Sequence, residues 1–152
     1  MWRSVGAVVL GFVILLILAF AAYTAAYLAL GADRAFLPGS YAVSGTWVLI
    51  MIGVSLVAAA ISGWVCTAVA RNGAAPLILA AVVLVVGILL ALPSVLGTPP
   101  DLGPRTAELG NMQAMQNAQT PHWLALLIPF IEAFGVLVGA RFAGPRRAPA
   151  YA

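Results

Sequence analysis

Glu132 lies inside an otherwise uncharged apolar run, residues 123–140, roughly 14 Å from the start of that run at 1.5 Å per helical residue. An ionised carboxylate at such depth in hydrocarbon is costly, so a residue of this kind is expected to face other helices or a wet cavity. Two kinds of chemistry are open to it. It can pass a proton or cation, as in a small transporter. It can also stay neutral and hydrogen-bond across helices as a clamp. The hydroxyls deep enough to meet it are Ser55, Tyr23 and Thr24, and Pro129 opens the Ala125 carbonyl as a further acceptor. No Arg, His or second acid lies in the apolar runs. A relay needs a chain of titratable groups, so the clamp is favoured and the relay is the alternative.

Other chemistry-bearing residues are sparse. His122 follows Pro121 with no second ligand at a helical offset, and Met112 and Met115 offer two thioethers three residues apart, a weak Cu(I) pattern. The plainer reading is an interfacial His and the apolar side of a short surface helix. The single Cys, Cys66, is expected to be a small buried apolar residue and allows no internal disulfide. Nucleophile, zinc and nucleotide-binding motifs are missing. No metal, cofactor or enzymatic activity is expected.

The elements that must position these groups follow from composition. The chain has 152 residues, 64% hydrophobic and 7% charged, with mean hydropathy +1.10. A soluble domain carries about 25% charge. Soluble enzymes, disordered tails and nucleic-acid modules are excluded, the last because a net charge of +3 spread over so few ionic residues makes no phosphate-binding patch. A helix needs about 20 apolar residues to cross about 30 Å of hydrocarbon. Four runs qualify, at about 5–30, 43–70, 75–96 and 123–140, with an outer loop at 97–122. The expected fold is all-α, a single four-span domain forming an up-down-up-down four-helix bundle. The first run exceeds the usual 7–15 residues of a signal-peptide core and is taken as a retained span.

Small residues at four-residue spacing would let these helices approach. They are Ser55, Ala59, Gly63 and Thr67 in the second run, Gly135, Gly139 and Ala143 in the fourth, and Ala21, Ala25 and Ala29 in the first. One such stripe could instead face another subunit. Trp2, Tyr41, Trp47, Trp123 and Phe142 are expected as interfacial anchors, and Trp64 lies deeper. Arg placement orients the chain. Arg3, Arg71, Arg141, Arg146 and Arg147 fall on one side without an acid; Arg34 and Arg105 fall on the other with Asp33, Asp101 and Glu108. Both termini are therefore expected in the cytoplasm.

The segment 29–40, ALGADRAFLPGS, and the uncharged span ending Gly63-Trp64-Val65-Cys66 resemble those of small four-span proteins of the bacterial inner membrane. The resemblance covers the whole chain in layout. It implies a bacterial cytoplasmic membrane location, nothing catalytic, and no functional residues to carry over. The expected role is that of a non-enzymatic accessory or scaffold subunit packing laterally in the lipid bilayer, as a homo-oligomer or in a larger membrane complex. A small proton-coupled transporter or channel using Glu132 is the alternative.

Overall fold

The computed structural model describes residues 2–98, 102–103, 113 and 116–143. Met112, Met115, Arg105, Asp101, Glu108, Arg146 and Arg147 lie outside the described residues. The described residues form five helices: α1 (Trp2–Leu30), α2 (Ala32–Ala35), α3 (Gly45–Ala70), α4 (Ala74–Leu96) and α5 (His122–Phe142). All but α2 are long and apolar enough to cross a membrane. The protein is an all-helical bundle of these four.

Local chemistry sets the ends. Gly31 follows α1 at φ 73°, a left-handed stop that glycine adopts without strain. Pro38 and Gly39, the latter at φ 66°, occupy the central positions of a turn closed by the Ser40 N–H donating to the Leu37 carbonyl. Ser44 caps α3 by accepting from the Trp47 N–H at 3.1 Å. Asn72 caps the start of α4 by accepting from the Ala75 N–H at 3.0 Å, while its amide donates to Ser4 Oγ at 2.7 Å. That second bond brings the start of α1 beside the α3–α4 turn. Pro93 sits inside α4, which stops at Leu96.

The spans alternate in direction, but their order around the bundle is not their order in the chain. α3 lies between α1 and α5, and α4 closes the ring against α5 and, more lightly, against α1. The most extensive contact therefore joins α3 to α5, two helices running the same way. Small residues explain this pairing. A Cβ added at Gly139 would overlap the Ala60 carbonyl oxygen, and one at Gly63 would overlap that of Val136. At Gly135 it would stand 2.8 Å from the Ala59 Cβ and 2.9 Å from the Leu56 carbonyl oxygen. Backbones meet at these points, so dispersion is gained where side-chain burial gives little advantage over lipid. Gly11 of α1 fits likewise against Leu79 and Cys66, and Gly87 of α4 against Pro129.

Two expectations are corrected. Ala21, Ala25 and Ala29 point outward, because α1 enters the core instead through Ala7, Gly11, Leu15 and Tyr27. Trp47 and Tyr41 are not interfacial anchors; they are 8% and 9% exposed. Trp47 is held by tilted and edge-on contacts with Tyr23 and Tyr27 at centroid separations of 6.4 and 6.1 Å. The connector after α1 forms a folded cap, in which α2, a Phe36–Val43 bridge and an Ala42–Gln119 bridge bind the loop segments together over those rings. Trp2, Trp64, Trp123 and Phe142 do face outward.

Replacing Gly139 or Gly63 by Ala should lower stability by about 1–3 kcal/mol or more, the cost of overpacking. Gly53→Ala, on an open face, should be neutral or stabilise by about 0.5–1 kcal/mol, as glycine is a poor helix former. Unfolding midpoints of the three variants in mild detergent test the contrast.

Candidate functional site

A polar chain crosses the bundle where α1, α3 and α5 meet. Tyr23 is seven residues short of the end of α1, and Ser55 and Glu132 each stand ten residues into α3 and α5. At 1.5 Å per residue, all three lie roughly 10–15 Å below the same end of the bundle. The Ser55 hydroxyl donates to Glu132 Oε1 at 3.3 Å. The Tyr23 hydroxyl is 2.9 Å from Ser55 Oγ, where either oxygen can donate, and it donates to the Met51 carbonyl at 3.2 Å. Ser55 is fully buried, and Glu132 and Tyr23 are half-buried.

The hydrogens can be arranged in two complete ways. With a neutral carboxyl group, Glu132 donates to Ser55, Ser55 to Tyr23, and Tyr23 to the Met51 carbonyl, whose second lone pair remains for the helix. With a carboxylate, the direction reverses: Tyr23 donates to Ser55 and Ser55 to Glu132. Each arrangement satisfies every hydroxyl, so the chain can change polarity without leaving a buried donor unpaired.

The two ends of the chain differ. Tyr23 and Met51 line a cavity of about 160 Å³ that continues past Tyr27, Phe36 and Trp47 to Thr120. It lies under the cap formed by the connectors. Beyond Glu132 towards the other end, the α3–α5 seam is closed by the contacts at Gly135, Gly63 and Gly139.

Of the residues singled out from sequence, Glu132, Ser55 and Tyr23 come together, and Thr24 is half-buried next to Tyr23. The carbonyl freed by Pro129 is not the partner; Glu132 meets Ser55 instead, and Pro129 packs on Gly87. Ala59, Gly63, Gly135 and Gly139 are buried in the helix seam. Thr67 spends its hydroxyl on the Gly63 carbonyl at 2.8 Å. His122 is exposed at the start of α5. No cluster of metal-ligating side chains occurs among the described residues. Sequence reasoning missed Ser62, which is fully buried and donates to the Gly11 carbonyl at 2.7 Å. Its signal was available, because Ser62 is seven residues after Ser55 and so on the same helical face.

No protein-family model matches the chain, and no curated protein or solved structure matches it. The class of protein therefore rests on its architecture, a four-span helical bundle with a polar chain at mid-depth.

Ser55→Ala takes the partner from both Glu132 and Tyr23 and should cost more than Tyr23→Phe, which keeps the Ser55–Glu132 bond, or Glu132→Gln, whose amide oxygen still accepts from Ser55. Interhelical bonds in membranes average about 0.6 kcal/mol with a maximum near 1.7. About 1–2 kcal/mol is expected for Ser55→Ala and under about 1 for the other two, measured by unfolding in mixed micelles.

Proposed function

We propose that this protein is a non-enzymatic membrane subunit, of the bacterial cytoplasmic membrane with both termini inside, that associates laterally with a second copy or with a larger membrane complex. The closed seam below Glu132 carries this reading. It closes the α3–α5 interface directly below the carboxyl group and favours Glu132 as an interhelical clamp. What such a rigid body offers to its surroundings is its outer surface. There α1 is the least embedded span, and its Ala21, Ala25 and Ala29 form an outward line over which another helix can approach. The Arg excess at the end bearing Arg3, Arg71 and Arg141 supports the orientation.

A second reading has one observation in its favour. The Tyr23 end of the polar chain opens on the 160 Å³ cavity, which would let protons reach Glu132 from one side, as a proton-coupled transporter requires.

Native mass spectrometry from mild detergent tests the first reading. A stoichiometric partner or second copy is expected, and the Ala21→Leu/Ala25→Leu variant should release it without altering the unfolding midpoint. A solely monomeric particle overturns lateral association. Proton flux into liposomes that disappears in Glu132→Gln would replace it with the second reading.

A further inference from the structure

At the end of the bundle opposite the aromatic cap, a cavity of about 670 Å³ opens between the C-terminal ends of α3 and α5 and the start of α4. Its polar rim carries Arg71 and Arg141, and its apolar wall includes Pro76, Leu77 and Leu137. Neither guanidinium has a hydrogen bond or ion pair among the described residues. The acids described, Asp33 and Glu132, sit at the other end and at mid-depth. Two like charges thus line one pocket without a counter-charge among the described residues.

Arg71 also stands where the backbone disfavours it. It is the one described non-glycine residue in the left-handed region, at φ 57°, although Gly73 lies two residues away in the same turn. Glycine is the usual occupant of such a helix stop. A strained position retaining a long cationic side chain points to a use for the charge. Serving the helix C-termini does not account for it, because neither Arg side chain bonds a carbonyl among the described residues.

We propose that this cavity binds an anionic phospholipid, with Arg71 and Arg141 holding the phosphate and an acyl chain lying along Leu77 and Leu137. The chemistry matches on both counts. Guanidinium forks pair with phosphate oxygens, and their two full charges outweigh the partial negative charges of the α3 and α5 C-terminal ends, which the start of α4 partly offsets. The apolar wall continues down the outside of α4 and α5, where Leu77 is exposed and Leu137 partly so, which suits a tethered lipid rather than a free anion.

The purified full-length chain, delipidated in detergent, is titrated with phosphatidylglycerol, with phosphatidylcholine and with inorganic phosphate, and occupancy is read by native mass spectrometry. One phosphatidylglycerol per chain should be retained under conditions that remove phosphatidylcholine. Arg71→Gln/Arg141→Gln should weaken retention on the order of tenfold to thirtyfold, from about 1 kcal/mol per Arg near the surface. Arg3→Gln, which removes a charge from the same end outside the cavity, should not. Arg141→Gln alone, at the exposed end of α5, gives the same direction if the double variant does not fold. The proposal is overturned by equal retention in wild type and Arg141→Gln, by an equal loss in Arg3→Gln, or by displacement of the lipid with inorganic phosphate.

Discussion

Two helices in surroundings as apolar as their own side chains adhere only where little separates their backbones, and α3 and α5 meet this condition at Gly63, Gly135 and Gly139. The rest of the bundle follows from that approach. It makes parallel neighbours of the second and fourth spans, although the short α3–α4 turn would by itself favour sequential pairing. It also brings Ser55 within hydrogen-bonding distance of Glu132, because both lie on the faces that the glycines draw together. A carbon added at any of the three would separate the helices and strand the carboxyl group.

The two fully buried serines both use their hydroxyls to join helices. Ser55 links α3 to both α5 and α1, and Ser62 ties α3 to the Gly11 carbonyl of α1. α3 is thus held to α5 mainly by close backbone packing and to α1 by small-residue contacts reinforced by two hydroxyls. The mid-depth chain can reverse the sense of its hydrogen bonds by turning its hydroxyls, without moving a helix. A structural clamp of this kind and the terminal station of a relay share the same local chemistry; the closed or open path beyond them makes the difference.

The bundle is polar along its axis in another sense. One end is a cap of tilted and edge-on rings, Tyr23, Tyr27, Phe36 and Trp47, covered by connectors that bridges join together. The other is cationic and open at the cavity beside Arg71 and Arg141. The lateral surfaces between them are apolar, with Leu28, Leu49, Leu90 and Phe134 among the exposed side chains, as expected of a body whose solvent is lipid.

The number, approximate length and type of the long helices were legible in the residues alone, because a 30 Å slab demands about 20 apolar residues of any helix that crosses it and few other structures tolerate such runs. Glu132 was legible as a special residue for the same reason, and Ser55 and Tyr23 as its nearest hydroxyls in depth. Spacing defines a face but not what the face meets. Ala21, Ala25 and Ala29 repeat as regularly as Ala59 and Gly63, yet they point outward. Trp47 and Tyr41 carry the composition of interfacial anchors and are buried. Which helices became neighbours, which hydroxyl reached the carboxyl group and which two arginines came to share a cavity were decided only by the tertiary structure, since each depends on contacts between residues far apart in the chain.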